Sequence, residues 1–470
     1  MRLARSIAAT LVLLYPGLAA AQSPRPLSPP VAPFVSVNAP VVALTHVRVV
    51  DGTGTPARED QTIVISGERI SAVGKSGEVA IPQGAQVLDR TGQTVIPGII
   101  GLHNHLYWQQ VMMYSYPKLF LAAGVTTIRT TGSRDTYQEL NLRRQVNAGE
   151  TAGPEVFVTG PYLQGTGPGV GWMHPLSNPD EARRLVKYWS EEGVQWFKAY
   201  NLITRDELGA AIDEAHQHGV KVTGHLCSVT FNEAVSLGID NLEHGLTTAT
   251  DFRPGKIPDA CPTGSGDSTY AALDISSAPV QQLIKNMVSR GTAMTSTLAV
   301  EELASPTRVP RDQRVLDALW PGGAETVKRY YDNAKPSASD SIHRAALKKS
   351  MEFEREFVKA GGLLGAGSDP CCLSQIAGYG DQRNYELLVE AGFTPEQAIQ
   401  IMTANGASIL GIADRVGTIA TGKQADLVVL NGNPVAAPAD IKNVALVFRR
   451  GLGYDPAKLT EAIKGQVGLR

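Results

Sequence analysis

The chain is 470 residues long, with 43 Lys and Arg against 45 Asp and Glu, a formal net charge of −2, and 43% apolar residues. That is the composition of a folded globular protein, and it excludes a disordered, collagen-like or coiled-coil chain. Near-neutral charge, with an isoelectric point of about 6.5, leaves no electrostatic footprint for nucleic acid.

The first 21 residues have the layout of a secretory signal peptide: Arg2 and Arg5, an apolar run over 7–14, and Ala19, Ala20 and Ala21 before Gln22. The run is too short to span a bilayer. Cleavage after Ala21 is therefore expected, giving a periplasmic or secreted chain with no membrane attachment. Residues 22–40, rich in Pro and Ser, read as a disordered leader. Short β runs follow over 41–97, at 41–50, 62–66, 70–73 and 87–89, with a turn at Asp51-Gly52-Thr53-Gly54.

From 98 to 411 short apolar runs alternate with helical patterns. Candidate strands lie at 99–105, 126–131, 155–159, 194–200, 220–225, 241–244, 293–297 and 363–368. This alternation predicts an α/β fold, a closed (β/α)8 TIM barrel. Overlong connections at 251–279 and 301–341 fall after strands and read as lids or pocket walls. Residues 412–453 return to β runs, at 416–419, 425–430 and 444–448. They are expected to join 41–97 in a small discontinuous β-sandwich, with 454–470 a terminal helix and tail. The four cysteines, Cys227, Cys261, Cys371 and Cys372, admit three pairings. One structural disulfide is expected, and the adjacent Cys371 and Cys372 favour a bridge from Cys261 to one of them.

The sharpest local signal is His103-Asn104-His105 at the end of the first barrel strand. A side-chain period of two points both imidazoles the same way, into the barrel. His216 and His218, also two apart, end a helical segment where i and i+2 share no face, and read as a solvated helix end. His225 and His244 close the fifth and sixth strands, and Asp369 follows the eighth. Groups at strand ends of such a barrel converge on one rim, and four neutral imidazoles with a carboxylate suit Zn²⁺ or a similar ion. Lys198 falls inward at the end of the fourth strand, together with Trp196 and Tyr200. A buried amine is costly unless neutral or paired. Held neutral, it can take up CO2 as a carbamate with two oxygens to bridge two metals. The competing reading pairs Lys198 with Asp369 or Glu243.

In this order, His103, His105, Lys198, His225, His244 and Asp369 make the chain closely resemble the amidohydrolase superfamily, over nearly everything from Val41 to Gly451. Val95-Ile96-Pro97-Gly98, the segment 123–129, Thr394-Pro395-Glu396-Gln397-Ala398 and Ala425-Asp426-Leu427 support the likeness, and the prolidase and imidazolonepropionase-like members are the most similar. The resemblance implies one metal on His103, His105 and Asp369, a second on His225 and His244, and carboxylated Lys198 bridging them. It further implies that the two divalent ions, expected to be Zn, activate a shared water while Asp369 moves its proton to the leaving nitrogen. Lys198 and Asp369 are thus the expected catalytic pair, and no Ser or Cys nucleophile is needed.

Three further residues are candidate substrate contacts. His174, in the Gly-rich loop 165–175, binds substrate or is an ordinary loop histidine; Tyr200, two residues past Lys198, touches substrate or caps the barrel layer; Arg129 can hold a carboxylate or pair inside the barrel. The aromatic and Met-rich stretch Tyr107, Trp108, Met112, Met113, Tyr114 and Tyr116 lines an apolar pocket or packs a helix. The expected protein is an exported hydrolase cleaving an amide or peptide-like C–N bond of a small, partly apolar molecule, a dipeptide or N-acyl amino acid. The alternatives are a mononuclear cyclic amidase and a metal-dependent binding protein without turnover. A small-molecule partner is expected, with no nucleic acid; a homo-oligomer is compatible with the sequence.

Overall fold

The computed structural model describes residues 23–106, 112–167, 171–372 and 374–468. The signal-peptide reading, Tyr107 and Trp108 lie outside the described residues. Strands β1 (Val35–Val37), β2 (Val41–Val49), β3 (Arg58–Ser66), β4 (Arg69–Lys75), β5 (Gln86–Asp89) and β6 (Gln93–Pro97) come first. The parallel α/β part carries β7 (Ile99–Asn104), β8 (Val125–Thr130), β9 (Glu155–Phe157), β10 (Thr159–Leu163), β11 (Trp196–Ala199), β12 (Lys221–Gly224), β13 (Asn241–Glu243), β14 (Ala293–Ser296) and β15 (Leu364–Ala366). Strands β16 (Leu427–Asn431), β17 (Val444–Arg449) and β18 (Leu452–Tyr454) close the chain, followed by the helix Pro456–Glu461.

The first six strands and the last three form one nine-stranded sheet, in the order β1-β18-β17-β16-β6-β2-β3-β4 with β5 beside β2. The two halves of the chain join where β16 runs antiparallel to β6, Leu427 opposite Pro97 and Asn431 opposite Gln93. Val42 and Leu44, Ile63 and Ile65, and Leu427 and Val429 share a separate apolar cluster. Each pair is two residues apart, which puts its members on one face of the sheet.

Three expectations change here. Residues 22–40 do not form a disordered leader: from 23 onward they are ordered, with a 3-10 turn at Ala32–Phe34 and strand β1. Their partners are more than 400 residues away, Val35 opposite Tyr454 and Val37 opposite Gly453, so local composition carries no sign of them. Residues 416–419 form no strand, because Gly417 turns the backbone at φ 91°. Ile419 still buries its side chain against the sheet and donates its N–H to Asp51 O at 2.9 Å. The disulfide joins Cys227 to Cys261, not Cys261 to Cys371 or Cys372. The connection at 251–279 brings Cys261 back onto the segment after β12. That proximity is created by the fold, and spacing could not supply it.

The strands from β7 to β15 run parallel, as three in the order β7-β8-β9 and six from β10 to β15. The two groups meet at Val158, between β9 and β10, where Thr159 N donates to Thr130 Oγ1 at 3.0 Å and Ser133 N to Gly160 O at 3.0 Å. At the other margin Ser368 N and Asp369 N both donate to His103 O, at 3.2 and 2.9 Å, so the end of β15 abuts the end of β7. The result is an α/β fold whose parallel strands carry apolar residues on both faces. Local signals set the intervening helices. Thr204 and Glu207 make a reciprocal capping box opening Arg205–Gln217; Thr230 and Glu233 do the same for Phe231–Leu237, which Gly238 stops at φ 92°.

Both long connections hold helices, Asp267–Ala271 in the first and Gln313–Ala318 and Pro321–Asn333 in the second. Replacing both disulfide cysteines (Cys227→Ser with Cys261→Ser) should lower the unfolding free energy by about 3 kcal/mol, given the loop of 34 residues. Denaturant titration checks this; a loss below about 1 kcal/mol would show that other contacts already hold the connection.

Candidate metal centre

His103 is the second-last residue of β7 and is fully buried. Its Nδ1 donates to Glu243 Oε2 at 2.8 Å, which leaves Nε2 as a lone pair aimed at Lys198 Nζ, 3.2 Å away, and Asp369 Oδ1, 3.7 Å away. His105 Nε2 lies 3.2 Å from the same carboxylate oxygen. Ligand atoms of His103, His105 and Asp369 all fall within 4.8 Å of one another, a group able to hold one metal ion.

The remaining members adjoin it. The His244 ring lies 4.5 Å, centre to centre, from those of both His103 and His225, and its Nε2 is 3.8 Å from Asp369 Oδ2. Its Nδ1 meets Thr297 Oγ1 at 2.7 Å, whereas the buried Nε2 has no hydrogen-bond partner. A buried ring nitrogen left bare among neutral donors is what an electron-pair acceptor would fill. Both His244 and Asp369 have left-handed backbone, φ 63° and 47°, which costs energy for residues with a Cβ and commonly accompanies functional geometry.

The electrostatics agree with ligation. Burial, then the charge of Lys198, pushes His103 down to about 4. Burial, then His103, brings His244 to about 3. Burial also holds His105 and His225 below their ordinary value. All four rings are thereby neutral at pH 7, the form that binds metal. Burial would raise Asp369, but the facing imidazoles outweigh it and keep the group a carboxylate. Lys198 is 2% exposed, and burial lowers it to about 8 against the opposing pull of Asp369 and Glu243. An appreciable fraction is therefore neutral amine near neutral pH.

Glu243, read from the sequence only as a possible partner of Lys198, instead supports His103. Wholly buried on β13, it accepts from His103, Arg129, Thr223 Oγ1 and Asn241 Nδ2. Burial would raise its pKa, yet Arg129 and His103 pull it well below the usual carboxylate range. It fixes the tautomer and tilt of His103. The one available signal was a Glu beside His244 in an otherwise apolar strand.

Arg129 is wholly buried and pairs inside the fold: its guanidinium donates to Glu243 and to Leu102 O at 2.8 Å, lies 4.5 Å from the centre of the Trp196 ring, and keeps Nη1 without a hydrogen-bond partner. His174 leaves the site, with a side chain 71% exposed and paired to Glu181 at 2.9 Å. Tyr200 stays, its ring 5.0 Å from that of His225 and 5.6 Å from Lys198 Nζ. Beside it stands Tyr162, whose hydroxyl is 3.5 Å from His105 Nδ1 and whose ring is 5.2 Å from Tyr200. The predicted third strand stopped at 159, which left Tyr162 in a loop. His216 and His218 pair on the surface with Asp240 and Glu214, as a solvated helix end should. Tyr116 packs in the core and Tyr114 is exposed, so neither lines the metal group.

Glu243→Gln should weaken metal binding by about 10- to 100-fold, because His103 loses its charged acceptor. It also strands a buried cation at Arg129, so stability falls by about 3 kcal/mol. Adding Arg129→Met should recover the stability without the affinity. Chelator competition and thermal unfolding of both variants check this; unchanged affinity would remove Glu243 from the centre.

The parallel α/β fold thus gathers His103, His105 and the partly exposed Asp369 at its strand ends, a set able to hold a metal ion. The chain belongs to the amidohydrolase family, whose model matches residues 94–452. It is 22% identical over 427 residues to an imidazolonepropionase of Streptomyces griseus, spanning 85% of this chain and 92% of that protein. Among solved structures, a prolidase-like protein of Bifidobacterium longum superposes with a TM-score of 0.67 at 28% identity, over 90% of this chain and 98% of that one. A Xaa-Pro dipeptidase with bound methionine in its active site superposes at 0.66 and 21% identity, over 88% of this chain and all (100%) of the other.

Proposed function

We propose that this chain is an exported, binuclear amidohydrolase that cleaves the C–N bond of a dipeptide or N-acyl amino acid, with its parallel strands closed into an eight-stranded barrel. The hydrogen bonds of Ser368 and Asp369 to His103 O support closure, since they tie the last strand to the first. Export rests on the layout of the first 21 residues. Among the described residues no helix is long and apolar enough to cross a membrane.

The observation that carries the reading is Lys198: a buried amine, lowered by that burial, 3.2 Å from His103 Nε2 and flanked by the rings of Tyr162 and Tyr200 at 5.5 and 5.6 Å. In this reading His103, His105 and Asp369 would hold one Zn²⁺, His225 and His244 would hold the other, and Lys198, once carboxylated, would supply carboxylate-like oxygens to the ions. When bound, the ions polarise a substrate carbonyl and acidify water. Asp369 takes the proton from the attacking water and hands it to the leaving nitrogen. Glu243 and Arg129 keep His103 in orientation, and Tyr162 and Tyr200 form an aromatic wall beside the metal ligands. The prolidase-like neighbours favour a peptide-like substrate.

A second reading has specific support. The compact three-ligand group alone suffices for one ion, with Lys198 an unmodified hydrogen-bond donor to His103. Metal analysis of the zinc-loaded mature protein, with a screen of dipeptides, N-acyl amino acids, lactams and esters, separates the two. Two ions per chain with amide turnover supports the proposal; one ion with turnover of cyclic amides replaces it, and turnover of esters alone refutes both.

A further inference from the structure

We propose that Cys371 and Cys372 are a redox site, in which the two neighbouring thiols join as a vicinal disulfide on the loop that carries Asp369. The sulfurs lie 2.7 Å apart, well inside van der Waals contact, although successive side chains of an extended chain point to opposite sides. Their backbone is anchored at both ends. Cys371 N donates to Asp369 O at 2.7 Å, and Gln375 N donates to Cys372 O at 3.0 Å, while Gln375 Nε2 donates to Ser368 O. Cys372 is exposed and Cys371 partly so, which gives a soluble oxidant access. The other two cysteines are already joined to each other, so neither competes for this pair.

The chemistry requires a small disulfide as oxidant, for which glutathione disulfide is the probe. The more exposed thiol, Cys372, attacks as thiolate and expels one glutathione thiol, forming a mixed disulfide. Cys371 then displaces the second glutathione. Overall the protein loses two S–H bonds and gains one S–S bond, while the oxidant's S–S bond becomes two S–H bonds, so two electrons and two protons move to it. The sulfurs are already in contact, which makes the second step effectively unimolecular and faster than attack by another solution thiol. The product is an eight-membered ring bracing the backbone just beyond Asp369, and an apolar S–S surface replaces two thiol donors.

The test uses the full folded chain, metal-loaded, incubated with glutathione disulfide, alkylated without reduction, and digested with trypsin. The peptide 360–383 contains both cysteines and neither of the other two. The expected result is a peptide lighter by two hydrogens than its reduced form, resistant to alkylation, and returned to two alkylatable thiols by dithiothreitol. Cys371→Ser should instead retain one glutathione on Cys372. The proposal fails if wild-type protein keeps both thiols alkylatable, holds a lasting glutathione adduct, or links either residue to Cys227 or Cys261. Since the readout is mass and not turnover, it is independent of the substrate and metal stoichiometry proposed above.

Discussion

Asp369→Asn should lower kcat/KM by about 1,000-fold while leaving the fold intact. The carboxylate faces His105 at 3.2 Å, His103 at 3.7 Å and His244 at 3.8 Å, which under the proposed function makes it both a metal ligand and the acid–base group nearest the reaction centre. The amide keeps the shape and removes the charge and the ability to carry a proton, a step that contributes about 100- to 10,000-fold in acid–base catalysis. The backbone should tolerate the change, because Asn accepts the left-handed conformation at φ 47° as readily as Asp, and the N–H bond to His103 O is retained. Steady-state kinetics and thermal unfolding on the same preparation decide it. A loss under about tenfold at unchanged Tm would assign the proton transfer to another group.

Lys198→Met should reduce bound metal from two ions to one and cost about 100-fold or more in kcat/KM, with stability unchanged or improved. Methionine has nearly the volume of lysine, so no large cavity opens. What disappears is an amine that burial disfavours as a cation, and removing such a group commonly stabilises. Activity and stability should therefore move in opposite directions, which a merely structural lysine would not do. Elemental analysis, kinetics and unfolding of the variant give the three readouts. In wild-type protein, recovery of activity on adding zinc to metal-free enzyme should quicken with bicarbonate, since carbamate formation consumes CO2. Two ions still bound to the variant would refute a bridging role, and recovery indifferent to bicarbonate would leave Lys198 unmodified.

These expectations concern residues whose positions follow from simple rules. Along β7 the period of two aligns His103 with His105, and the ends of successive parallel strands come together, so His225, His244 and Asp369 were legible although as many as 266 positions separate them from His103. Lys198 was legible for the same reason, as an inward residue at the end of β11. Tyr162 was missed because Gly160 and Pro161 follow Thr159 and end the apolar pattern, although the backbone continues as β10 through Leu163. His174, for which the sequence left a substrate contact and an ordinary loop histidine equally open, turns outward to Glu181, because a loop histidine carries no periodicity to aim it.

From the sequence by itself came the class of fold, the order of its strands and the set of side chains at their ends, because hydrophobic periodicity is a local property written residue by residue. Tertiary structure alone decided what those side chains do to one another. It paired Arg129 with Glu243, brought Cys227 to Cys261, set Val35 and Val37 against Tyr454 and Gly453, and put the sulfurs of Cys371 and Cys372 in contact. Burial, charge pairing and disulfide geometry depend on distances in space, and distances between remote residues exist only once the chain has packed.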